Sequence, residues 1–144
     1  MDFHIWAKET TLAADMVREK FPNAVEETVA LADEICQNRF TFRGHWEMER
    51  THEPVEFTGE VVWDHSPNGD PEWVFAFKRH TFLVTLGQAW RFTGEYRYVE
   101  AAVRLWSDWI ERNPLNDSSA PTTWRPIEAG LRRETRLRSH GRLG

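Results

Sequence analysis

The sequence predicts a mainly α fold assembled from antiparallel helical hairpins. Three observations predict it. Apolar residues recur at intervals of three and four over most of the chain, the spacing that gathers them on one helix face. Proline, asparagine and glycine fall between those segments, where helices begin and end. Strict apolar–polar alternation is confined to two short stretches, Arg39 to Phe42 and Val55 to Phe57.

The first helix is expected over residues 8–20, with Leu12, Met16 and Glu19 on one stripe and Ala13 and Val17 beside it. Phe21-Pro22 ends it, because proline disfavours helix at the residue before it. The second runs from Ala24 to Gln37 and carries Val25, Val29, Ala32, Ile35 and Cys36 at helical spacing. Asn23 is its expected N-cap, with Glu26 three residues later completing a variant capping box. Its acids Glu26, Glu27, Asp33 and Glu34 are expected in solvent. Residues 38–70 then change character, with three glycines and two prolines. They read as a long irregular connection holding one or two short strands, and such connections tend to be functional. Ser66 to Gly69 is a turn.

Asp70-Pro71-Glu72 opens a strong helix expected to reach Phe92, since Asp70 can cap, Pro71 suits the first turn and Glu72 favours the positive end of the dipole. Trp73, Val74, Phe77, Phe82, Leu83, Val84, Leu86, Ala89 and Trp90 cover more than one stripe of it, which predicts burial. Thr93-Gly94 ends it. The next helix spans Glu95 to Arg112, with Val99, Ala102, Leu105, Trp106, Trp109 and Ile110 as its inner face, and Asn113-Pro114 stops it. After a polar loop from Leu115 to Thr123, Pro126 opens a last helix. It carries Ile127 and Leu131 on one side and Glu128 and Arg132 as an i, i+4 pair.

Composition excludes several function classes. The net charge is -5 and the pI about 5.7, without the basic footprint of a nucleic-acid binder. The charge is uneven: Leu131 to Gly144 carry +4 and residues 1–130 carry -9. The basic run reads as a solvated terminus or as a binding element. Cys36 is the single cysteine, so no disulfide forms within the chain, and no neighbouring histidine activates it. No apolar run nears the roughly 18 residues of a membrane span. The start, MDFHIWAKE, lacks the pattern of a signal peptide, so a cytoplasmic location is expected. His45, Glu47, His52, Glu53 and His65 share the long connection, but no HExxH or Cys/His quartet is present, and no metal or cofactor is expected. Nucleotide-binding and serine-hydrolase motifs are absent as well. Eight tryptophans remain to be explained, either as core or as platforms for the apolar faces of sugar rings.

Several short pieces occur in a particular order: Asn38-Arg39-Phe40, Val62-Trp63-Asp64, Asp70-Pro71-Glu72-Trp73, Phe77-Lys78-Arg79-His80, Thr93-Gly94-Glu95, Trp109-Ile110 with Asn113-Pro114, and the run from Trp124 to Arg132. This ordered set resembles the N-terminal region of heparinase II/III-type polysaccharide lyases. The resemblance covers about two thirds of the chain. Lys78 stands where that family has asparagine, and Trp90 where it often has tyrosine. After Arg132 a basic run replaces the family's tryptophan-containing helix, which reads as a truncation or a shifted reading frame. Residues 1–132 are therefore expected to form a partial family domain, with the long loop 38–70, and residues 133–144 a basic tail.

The resemblance implies part of an incomplete α/α toroid, which precedes a β-sandwich in the family. It also implies β-elimination on uronic-acid-containing polysaccharides of heparin, heparan sulfate or alginate type. That chemistry needs a group that neutralises the uronate carboxylate, a base and an acid. The family's asparagine or glutamate, tyrosine and histidine for these roles lie further along, and no catalytic residue carries over to this chain. Substrate-binding candidates remain. Trp124-Arg125 sits at a loop-to-helix junction, where a guanidinium can grip a carboxylate or sulfate in two places and an indole can stack on a ring. Arg79-His80 reads either as a structural pair or as a wall of the cleft, and Trp63 as a further stacking platform. Three readings follow: a lyase segment inert alone, a free-standing carbohydrate-binding protein without chemistry, or a module that self-associates through an exposed toroid face. Many relatives are exported, which leaves the expected location open.

Overall fold

The computed structural model describes residues 3–42, 54–69, 71–117 and 132–133, with side chains from residue 9 onward and not at positions 68 and 72. Among the described residues five helices dominate: α1 Phe3–Lys20, α2 Pro22–Cys36, α3 Pro71–Lys78, α4 Phe82–Thr93 and α5 Arg97–Arg112. Strands β1 Arg39–Phe40 and β2 Val55–Glu56 pair antiparallel, Arg39 against Glu56 and Phe40 against Val55, and a 3-10 turn spans Pro67–Gly69. The mainly α class and the two short strands follow the sequence reading. Among the described residues no helix is long and apolar enough to cross a membrane.

α1 and α2 are separated by Phe21 alone. The expected N-cap at Asn23 does not form. Pro22 takes the first helical turn, where its missing N–H is no loss, so the start moves back to Phe21. α4 packs on α1, α2 and α5 and is the centre of the helical layer. Gly94 adopts φ 73 after α4 and donates its N–H to the Trp90 carbonyl at 2.7 Å, the left-handed ending that glycine tolerates. Arg18 of α1 donates to the Phe92 carbonyl at 2.7 Å, satisfying an acceptor that α4 leaves open. α5 ends at Asn113, whose backbone N–H and Nδ2 both reach the Trp109 carbonyl, at 3.0 and 2.9 Å.

The single helix expected from 70 to 92 is two helices. Arg79, His80 and Thr81 form a turn between α3 and α4, and His80 sits at φ 62. The left-handed geometry is costly for a residue with a Cβ, and the surrounding core holds it. That break redirects the chain so that Phe77 at the end of α3 and Phe82 at the start of α4 share one aromatic cluster. Phe77 is fully buried and central: it contacts Phe40 at 4.8 Å, Trp63 at 4.9 Å, Trp73 at 5.1 Å and Phe57 at 6.0 Å between ring centroids. Three of those partners come from the connection between α2 and α3, so its described part is a core-bearing segment rather than a surface loop.

Asn38 anchors that segment. It takes φ 59 just past α2 and accepts the Phe57 N–H on its carbonyl at 3.1 Å. Its Nδ2 donates to the Gly59 carbonyl at 3.0 Å, and its Oδ1 accepts from Arg104 at 2.9 Å. The Asn-Arg-Phe piece thus has a physical role: a left-handed corner that asparagine tolerates, a cross-strand arginine and a core phenylalanine. Asp33, expected in solvent, instead accepts from Tyr98 Oη at 2.8 Å and pairs with Arg97 at 2.6 Å, joining α2 to α5.

Candidate functional site

Of the residues singled out by sequence, Trp63, Arg79 and His80 lie at or beside the α3–α4 turn. Trp63 and His80 lie with ring centroids 6.0 Å apart. Trp63 is 3% exposed. Its ring stacks on Phe77 and Phe82, at 4.9 and 6.1 Å, and its Nε1 donates to Asp108 Oδ2 at 2.7 Å. With so little of its ring exposed and its one donor satisfied, Trp63 is placed as a core residue. His80 is also buried, with its ring edge-on to Trp109 at 4.6 Å. Arg79 is half-buried beside it, and its N–H reaches the Phe75 and Ala76 carbonyls at 3.1 and 3.2 Å. The Arg79-His80 pair therefore sits at a helix break and not mid-helix. Trp124 and Arg125 lie outside the described residues.

Two buried cations accompany His80. The Lys78 ammonium forms an ion pair with Asp64, whose carboxylate is mostly in solvent. Arg132 is 1% exposed, with its guanidinium 5.0 Å above the Trp109 ring and NH1 3.4 Å from the Lys78 carbonyl. Its placement corrects the reading of Arg132 as part of a solvated basic run. A cation on an indole face, with the long stem buried, is a packing arrangement that the charge pattern alone does not reveal. Trp109 thus contacts both His80 and Arg132.

An open groove runs beside this cluster, lined by Glu60 to Asp64 and by Arg112 and Asn113. Arg112 bridges Asp108 at 2.7 Å and Glu60 at 2.9 Å, and those two carboxylates, Asp108 foremost, hold its guanidinium more firmly protonated. Its charge is spent within the protein, and Glu60 and Asp64 add negative potential, so this groove is a poor seat for a polyanion. The Asp108–Arg112 pair is a local i, i+4 contact, whereas the Trp63–Asp108 bond spans 45 residues and has no local signal. Among the described residues no group of three or more metal-ligating side chains occurs. Cys36 is half-buried, and burial raises its thiol pKa, so it is a weak nucleophile at neutral pH.

Comparison with known proteins adds what the geometry lacks. The heparinase II/III N-terminus family matches residues 5–141. A heparin-sulfate lyase of Bacteroides thetaiotaomicron is 26% identical over 102 residues, and one of Bacteroides stercoris 27% over 121 residues. Those matches cover 68% and 71% of this chain, which spans only 14% and 17% of the two relatives. The crystal structure of heparan sulfate lyase HepC from Pedobacter heparinus superposes with a TM-score of 0.68 at 20% identity, over 81% of this chain and 18% of that one. A heparinase III structure with methylated lysines gives 0.66 at 19% identity, over 81% and 20%. This likeness establishes the fold: the helical hairpins are part of an α/α toroid.

Proposed function

The chain belongs to the heparinase II/III N-terminus family, and from that premise we propose that it forms one wall of a cleft for a uronic-acid-containing polysaccharide of heparin or heparan sulfate type. On this reading the chain binds and orients the polymer and does not itself perform β-elimination. The family match over residues 5–141 carries the proposal, and the heparin-sulfate lyase relatives suggest the substrate class. The binding role falls to Trp124 and Arg125, which lie inside the matched region. Arg79, half-buried at the α3–α4 turn, is the further candidate among the described residues. A planar guanidinium suits a carboxylate or sulfate, and such contacts weaken as salt screens them.

The test is titration of the 144-residue protein with heparan sulfate oligosaccharides by calorimetry. Saturable, salt-sensitive binding is expected, weakened at least about tenfold by Arg125→Ala and by Trp124→Ala. No unsaturated uronate product is expected to accumulate. Failure of the wild type to bind, or unchanged binding by Arg125→Ala, overturns the proposal. Equal or tighter binding of alginate oligosaccharides overturns the substrate class.

A further inference from the structure

Arg79 lies between two residues that are each fixed by the core. Lys78, before it, ends α3, so its carbonyl is among those that no N–H of that helix reaches. Arg132 Nη1 donates to that carbonyl at 3.4 Å. His80, after it, takes φ 62 and sets its ring edge-on to Trp109 at 4.6 Å. The Arg132 guanidinium lies 5.0 Å from the same Trp109 ring. Trp109, Lys78, His80 and Arg132 are each between 0 and 2% exposed, so this set of contacts is shut off from water. Arg79 itself is half-buried. A guanidinium suits the place that Arg132 occupies. It is a cation at the negative end of the α3 dipole, and its plane can lie against an indole while its edge donates. Buried from water, such a bond is stronger than the same bond at the surface.

We propose that Arg132 is a positioning residue for Arg79. It fixes the Lys78 carbonyl directly and the His80 ring through Trp109, and so sets how the residue between them meets a carboxylate or sulfate of the polysaccharide. The inference rests on the binding role given to Arg79 above. A guanidinium grips an oxyanion in two places only when its plane is presented correctly. A supporting contact that lets the turn shift by about 1 Å therefore weakens binding without removing any contact to the ligand.

The test is a double-mutant cycle on the whole chain, read by calorimetry with heparan sulfate oligosaccharides. Arg79→Ala is expected to weaken binding about fivefold. Arg132→Met removes the charge and the donors but keeps an unbranched stem, and it is expected to weaken binding to a similar degree. The double variant should bind no worse than Arg79→Ala alone, because Arg132 acts through Arg79. Helicity and melting temperature show that each variant is folded in the assay, and Arg132→Lys takes the place of Arg132→Met in the cycle if the latter does not fold. Equal weakening by the Arg132 substitution with and without Arg79 overturns the proposal, as does a folded Arg132 variant that binds like the wild type. Wild-type binding by Arg79→Ala, with Arg125→Ala still impaired, overturns it too but leaves the cleft reading in place. A wild type that does not bind overturns both.

Discussion

Asn38 shows how much one residue can organise. Its left-handed backbone turns the chain out of α2, and its side chain ties the strand segment to α5. Asn38→Ala loses both side-chain bonds and places a residue less tolerant of φ 59 at the corner. A cost of about 2 kcal/mol is expected in urea unfolding. Asn38→Gly loses the same bonds but relieves the backbone, so it should cost about 1 kcal/mol. Equal losses in the two variants would mean that the backbone conformation contributes nothing. The importance of the Asn-Arg-Phe piece was legible in the sequence, but its role was not, because Gly59 and Arg104 lie 21 and 66 residues away. Trp63 was legible as a special tryptophan, but its burial was not. Its burial depends on Phe77 and Phe82, which reach it only after α3 and α4 break at His80.

Between elements, the α2–α5 contact carries a pH dependence. Burial, and then the hydrogen bond to Asp33, raise the Tyr98 pKa above its ordinary value near 10. The folded state therefore keeps the phenol proton when the unfolded chain has lost it. The stability from this contact is present below about pH 10 and falls as pH rises above it. Tyr98→Phe should flatten that alkaline slope in melting experiments and cost about 1 kcal/mol at neutral pH. An unchanged slope would remove Tyr98 as its source. Helix existence was well read at this scale: α2 and α5 lie where periodicity placed them, and α3 and α4 together span the helix expected from 70 to 92. The break at Arg79-His80 was missed, because the apolar residues on either side of it cover more than one stripe of a helix. Such a run looks the same whether a buried helix continues or turns.

Across the whole described molecule, the aromatic cluster around Phe77 joins the helical layer to the strand-bearing segment. Its partners Phe40, Phe57 and Trp63 come from one side and Trp73 and Phe82 from the other. Phe77→Ala should destabilise the protein by about 3–5 kcal/mol, enough to threaten folding of a chain this size. Phe77→Leu fills most of the volume and should cost clearly less. If Phe77→Ala melted within a degree or two of the wild type, the two parts would not form one cooperative core.

The sequence by itself determined the helical class, the sites of the glycine and proline boundaries, the short alternating strands and the family resemblance. All of these rest on spacing along the chain or on backbone preferences that act within a few residues. Only the tertiary structure decided the faces. It buried Trp63 and Arg132, broke the helix at His80, put Asp33 against Tyr98 and left Val103 and Ile110 outside. Periodicity marks a side chain as apolar but does not name its partner. Burial and pairing depend on contacts between residues dozens of positions apart, and these exist only once the helices have packed.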